Sequence, residues 1–232
     1  MNYTIRVSPR AKHVRLKMSP QEGLVVIVPR GFKQTLISEL LERHRVWIEK
    51  AQRKVEEQRR LSPHKSSSTL PAQISLKAID EEWFVEYRRT ASERITVTEH
   101  HEDTLVLSGA VDDHELCLAA LRRWLNRKAN KHLIPRLESL SKEMWIHYKG
   151  VTIRNQRTRW GSCSSGKTIS LNQKLLMIPA PLVRFVMIHE LCHVIHHDHS
   201  PKFWAEVSRL EPDYKRLNRQ LRPIWKEIPS WD

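Results

Sequence analysis

No run of apolar residues in this 232-residue chain reaches the length that spans a membrane, and the opening MNYTIRVSPR lacks the apolar core of a signal peptide. The expectation is a soluble cytoplasmic protein with no membrane insertion. Cysteine is scarce as well. Cys117, Cys163 and Cys192 are an odd number at wide spacing with no CxxC pair, which excludes a disulfide framework and a cysteine-rich zinc ribbon. Internal repeats and extended low-complexity tracts are also missing. What remains is an ordinary globular mixture, 40% hydrophobic and 28% charged, long enough for one sizeable core or one core plus a smaller module.

Histidine is plentiful, with 13 in the chain, and it gathers in HELCHVIHHDH, residues 189–199. Two imidazoles four residues apart leave one face of a helix together, and a carboxylate beside the first can handle protons. His189 and His193 are therefore expected to bind a metal, with Glu190 as the catalytic acid/base. A third ligand cannot come from the same straight helix. His196 stands seven residues from His189, about 10 Å along the axis at 1.5 Å per residue, whereas zinc ligands converge at about 2 Å. Ser200-Pro201 offers an N-cap followed by proline at the first helical position, so His199 falls where one helix ends and the next begins. His199 is the favoured third ligand, with His196 and His197 left to a solvated helix end or a supporting role. A downstream glutamate, Glu206 or Glu211, is the alternative if the site follows the gluzincin pattern. No methionine follows Met187 and His196 replaces a required glycine, which excludes a standard metzincin. Cys192 reads as a small buried apolar residue.

The net charge of +14 is unevenly spread. Residues 1–70 carry 15 Lys and Arg against 6 Asp and Glu, residues 71–120 carry 4 against 11, and residues 121–165 carry 11 against 2. Two basic blocks thus flank an acidic one. They make nucleic acid a possible partner, although charge runs are more often solvated faces.

Read in order, YTIRV, HVRLKM and LVVIV are strands, and apolar spacing from Lys33 to about Arg60 predicts one helix. Residues 1–61 are expected to form a basic β-β-β-α unit. SPHKSSSTLP, 62–71, is the linker candidate, and ISLKAI, WFVEYRR, RITVTEH and TLVLSG are strands, so 62–112 reads as linker and acidic β-rich segment. A helix over 113–143 has Leu116, Ala119, Ala120, Trp124, Leu133 and Leu137 on its apolar side. Arg122, Arg123, Arg127, Lys128 and Lys131 occupy the rest. A hairpin or small sheet over 151–179 precedes an apolar metal helix, and a last helical stretch is broken near Pro212, with Phe203, Trp204, Val207 and Leu210 packing it against the metal helix.

At RTRWGSC, SLNQKLL, HELCH and HSPKFW the chain resembles the YgjP-like metallopeptidase family, a relative of the SprT-like and WLM zinc peptidases. The resemblance runs over nearly the whole chain. It implies an α+β protein in which an N-terminal β-rich region with a long helix precedes a zincin-like metallopeptidase domain, residues 113–232, built on an HExxH helix. It further implies one Zn2+ per chain on His189, His193 and His199, with Glu190 as acid/base and a peptide or protein as substrate. Tyr214 and the segment Arg159, Trp160, Gly161, Ser162 and Cys163 are the substrate-binding candidates, the latter as a strand that pairs with an extended peptide. Rival readings are a nucleic-acid-associated basic protein with a structural zinc, a peptidase recruited to nucleic-acid-bound protein, and a metal-storage or nickel-handling site.

Overall fold

A computed structural model describes residues 3–8, 13–19, 23–32, 37–61, 70–101, 103–229 and 231–232, in two compact units, 1–67 and 68–232. Most of the linker candidate, residues 62–69, lies outside the described residues.

In the first unit the strands are β1 (Tyr3–Val7), β2 (Arg15–Ser19) and β3 (Gly23–Val28). The LVVIV run is apolar throughout because β3 is the central strand, parallel to β1 and antiparallel to β2. Leu24, Val26 and Val28 join Ile37, Leu41 and Ile48 in this unit's own core. The single helix expected from Lys33 is instead two, α1 (Ile37–Arg43) and α2 (Arg45–Leu61). Backbone bonds still run through the junction, from His44 to Leu40 at 3.1 Å and from Ile48 to His44 at 3.0 Å, so the apolar periodicity carries across it. Residues 33–36, where that helix was expected to begin, lie outside the described residues.

The second unit holds two sheets. One has the order β4-β5-β7-β6, from β4 (Gln73–Leu76), β5 (Glu81–Arg89), β6 (Thr96–His100) and β7 (Thr104–Gly109). Helix α3 (His114–Glu143) follows, its start fixed by Asp113, whose carboxylate accepts from the Leu116 N–H at 3.0 Å. The second sheet has the order β8-β10-β9, from β8 (Gly150–Arg154), β9 (Gly161–Cys163) and β10 (Thr168–Asn172). A 3-10 turn, Gln173–Met177, leads into α4 (Ala180–Cys192), then α5 (Pro201–Leu210) and α6 (Tyr214–Ile224). The break between α5 and α6 falls at Pro212, where the chain loses an N–H donor.

Two expectations change here. The boundary at residue 112, where strands give way to helix, runs through a continuous core, since Ile74, Leu76, Trp83, Leu105 and Leu107 of the acidic strands cluster with Leu121, Leu125 and the α4 residues. Lys128 also leaves the solvated face assigned to it. It is 6% exposed and its ammonium bonds Glu81 at 2.7 Å and approaches Glu99 at 3.5 Å. Helix α3 is buried on more than one side, so a lysine off the main apolar stripe still faces protein.

Helix α4 passes through the core. Leu182, Val183, Phe185, Val186, Met187, Ile188, Leu191 and Cys192 are all buried, which anchors the helix that carries His189 and Glu190. Among the described residues no helix is long and apolar enough to cross a membrane.

Candidate metal centre

His189 occupies the last turn of α4 and His193 its C-cap, four residues on. The chain then turns back sharply, with the N–H groups of Ile195 and His196 both bonded to the Cys192 carbonyl. His199 follows this turn, immediately before Ser200 and Pro201 open α5. The reversal brings the third imidazole to the other two. His189 Nε2 lies 3.2 Å from His193 Nε2 and 3.1 Å from His199 Nε2. Among the described residues, these three form the group of side chains able to share a metal ion.

Phe203 holds the arrangement from below. Fully buried, it stacks on His193 with centroids 4.4 Å apart and meets His189 and His199 edge-on at 4.9 Å. Trp204 flanks His189 and His199. The HSPKFW segment thus sets the rings as well as supplying one of them. His196 contributes through its backbone: its carbonyl accepts from His193 Nδ1 at 3.0 Å, which leaves Nε2 of a neutral ring as a lone pair aimed at the centre. His197 is exposed and half-buried His196 brings no ring atom to the group.

Burial, followed by the neighbouring imidazoles, holds His189 down to about 3, and burial likewise lowers His193. Rings that carry their proton on Nδ1, as the bond to the His196 carbonyl requires of His193, turn Nε2 lone pairs on one another at this separation. A small cation resolves that repulsion, and nitrogen ligands about 2.0–2.1 Å from a tetrahedral ion stand at comparable separations. The residues present therefore fit a metal. Glu206 is engaged by Arg209 at 2.6 Å and Glu211 lies 3.6 Å from Arg184, so the downstream glutamates are directed elsewhere.

Glu190 is 5% exposed, and its Oε2 has no hydrogen-bond partner among the described residues. Burial pushes its carboxyl up to about 8, with Arg159 opposing. Gly161 of β9 makes room for it, because a Cβ there would stand 2.7 Å from Glu190 Cγ and Oε1. This contact explains the glycine in RTRWGSC. Asn172, fully buried at the end of β10, fixes the loop before it by donating to the carbonyls of Gln156 and Arg159, each at 2.8 Å, while its Oδ1 accepts from the Lys174 N–H. SLNQK therefore braces RTRWG.

A cavity of about 400 Å³ opens beside the centre. Trp160, Gly161, His189 and Glu190 line it, together with Phe185, Val186, Asn218, Leu221, Arg222 and Trp225. Trp160 stacks on Trp225 at 4.0 Å. The other candidates lie outside the lining. Ser162 pairs with Ser170 across β9 and β10, and burial, then Glu190, push the Cys163 thiol up, away from nucleophilic use. Tyr214 stacks on Trp204. The α6 residues escaped sequence reading although Asn218, Leu221, Arg222 and Trp225 follow the i, i+3, i+4, i+7 spacing of a single helix face.

The model of the YgjP-like metallopeptidase domain family matches residues 12–223 of the chain. No curated protein matches it. Among solved structures, the crystal structure of the metallopeptidase zymogen of Pyrococcus abyssi abylysin is similar at 24% identity and a TM-score of 0.35, over 38% of this chain and 90% of that one.

Proposed function

This chain belongs to the YgjP-like metallopeptidase family, and from that premise we propose that it hydrolyses peptide bonds with one zinc ion held by His189, His193 and His199 and with Glu190 as acid/base. The observation that carries this reading is the meeting of three imidazole Nε2 atoms at 3.1 and 3.2 Å beside a buried carboxyl oxygen that has no partner among the described residues. Zinc bound there supplies Lewis acidity, polarising a carbonyl and lowering the pKa of water towards neutrality. Three neutral ligands leave that charge undiminished.

The chain's own residues do the remaining work. Gly161 and the core around α4 hold the Glu190 carboxyl in place, where burial favours its protonated form and a nearby dication favours its ionised form. Glu190 can therefore take a proton from the attacking water and return one to the leaving amine. Strand β9 is an edge of its sheet, paired with β10 alone among the described residues. An extended peptide added to that edge would run past Gly161, and hence past Glu190. A storage or purely structural metal site has no use for such a carboxyl.

The test compares wild type with Glu190→Gln for zinc content after dialysis and for cleavage of an unstructured protein such as casein. The expected result is one zinc per chain in both, with turnover lowered by roughly 10²- to 10⁴-fold in the variant. Equal turnover, or no zinc in the wild type, would overturn the assignment.

A further inference from the structure

The cavity beside the triad has two unlike parts. Trp160, Phe185, Val186, Leu221 and Trp225 give it apolar walls, and the stacked Trp160–Trp225 pair stiffens one of them. Its volume of about 400 Å³ lies in the range of roughly 300–1,000 Å³ typical of sites that enclose small organic groups. His189 and Glu190 belong to the same lining, so a side chain seated in the cavity comes from a residue flanking the bond under attack.

The second part is cationic. Arg222 lines the cavity yet is exposed, which puts it where the cavity meets solvent. Arg159 is exposed and acts electrostatically on Glu190. Neither forms an ion pair among the described residues, whereas Arg184, Arg209 and Arg216 on the surrounding helices all do. Helix α6 adds Lys215, Arg216 and Arg219 and carries no acidic residue. An unpaired guanidinium at the edge of an apolar cavity suits a carboxylate, which it can bind through two parallel hydrogen bonds.

We propose that this site selects peptides with a bulky apolar side chain at the scissile bond and a carboxylate next to it, the side chain seated against Trp160 and Trp225 and the carboxylate held by Arg222. The proposal rests on the peptidase reading above. Either an acidic side chain or the terminal carboxylate of the peptide can supply the group.

Binding to full-length, zinc-loaded Glu190→Gln protein separates recognition from turnover. The probes are end-blocked hexapeptides with a central Phe or Ala followed by Glu or Lys, and a peptide ending in Phe with its terminus free or amidated. Phe is expected to bind at least about 10-fold tighter than Ala, and Glu roughly 3- to 10-fold tighter than Lys. In the same background Arg222→Gln should erase the Glu-over-Lys preference and keep the Phe-over-Ala one. Arg219→Gln, on the same helix but outside the cavity lining, should keep both. A preference for the free terminus over the amide, larger than that for Glu over Lys, identifies the terminal carboxylate as the source. Equal binding of Phe and Ala, binding of none of the peptides, or a Glu preference that survives Arg222→Gln would overturn the proposal. The two readings fail differently: wild type that cleaves none of the peptides its variant selects overturns the peptidase reading and leaves only a peptide-binding preference, whereas cleavage of all of them at equal kcat/KM overturns the selectivity and keeps the peptidase.

Discussion

Two of the polar clusters in the second unit differ in whether their bonds are closed. At Lys128 the bonds close: its ammonium meets Glu81 and Glu99 and sits 4.5 Å over the Trp83 ring, and the indole N–H groups of Trp83 and Trp124 donate to those same carboxylates at 2.8 Å, with the nearby His132 Nε2 left unmatched among the described residues. Around His189 they do not. Three imidazoles direct ring nitrogens at one another, and the neighbouring carboxyl keeps an oxygen without a partner among the described residues. Buried polar groups without partners are costly, so a fold retains them where a ligand completes them. The closed cluster joins α3 to its sheet, and the open one is where chemistry belongs.

The largest effect should come from making the open cluster impossible to complete. His193→Ala removes one imidazole and is expected to abolish zinc retention and turnover together. A metal present at about 1,000 times its Kd stabilises a fold by about 4 kcal/mol, so the wild-type Tm should drop on chelation while the variant's does not respond. A variant that keeps its zinc and its chelator response would remove His193 from the ligand set.

Lys128→Met tests the closed cluster. Breaking a fully buried ion pair costs about 3–5 kcal/mol, and the partial exposure of Glu81 and Glu99 brings the expected loss to roughly 1–3 kcal/mol. Denaturant unfolding should show this loss with zinc content unchanged. If zinc were lost as well, the two clusters would be one coupled system.

The open cluster was far more legible in sequence than the closed one, for a geometric reason. His189 and His193 obey the one spacing that a helix makes obligatory, and Ser200-Pro201 marks the helix start that delivers His199. Glu190 comes with the first histidine. Lys128 gave no such sign, because periodicity describes one buried face and α3 has neighbours on several. The cavity wall was hidden by distance along the chain, since Trp160, Phe185 and Trp225 meet only after three segments pack. Tyr214 stacks on Trp204, the ring that flanks His189 and His199, a contact that no spacing in the sequence announces. The change from strand to helix pattern at residue 112 gives no sign that the strands of the acidic segment share the core of α4, because that core forms between segments distant along the chain.

A smaller effect should separate the position of Glu190 from its chemistry. Gly161→Ala places a Cβ against the carboxyl, which must shift. Turnover is expected to fall about 10-fold, on the order of 1.4 kcal/mol in the barrier, with KM and zinc content little changed. Unaltered turnover would mean that the contact between β9 and Glu190 does not set the catalytic geometry.

The smallest effect lies in acid, and it divides the clusters by pH. In metal-stripped protein, burial keeps the His189 ring neutral down to about 3, while the unfolded chain protonates near 6.5. Unfolding then takes up protons, so this contribution to stability is lost as pH falls below about 6.5. Glu81 responds later. Burial alone would raise its carboxyl, but the bonds from Lys128 and Trp83 outweigh burial and leave it below its ordinary value of 4.5. Its contribution is complete above 4.5 and disappears as pH falls through the lowered folded value. Because the Glu81 side chain stays partly exposed, the amount is about 1 kcal/mol. Comparing unfolding of metal-stripped wild type and Glu81→Gln from pH 7 to 3 isolates it: the two curves should run parallel down to about 4.5 and converge below. Convergence that began near 6.5 and survived His132→Asn, which removes the imidazole beside Glu81, would tie Glu81 to the metal-centre imidazoles and erase the distinction between a closed cluster and an open one.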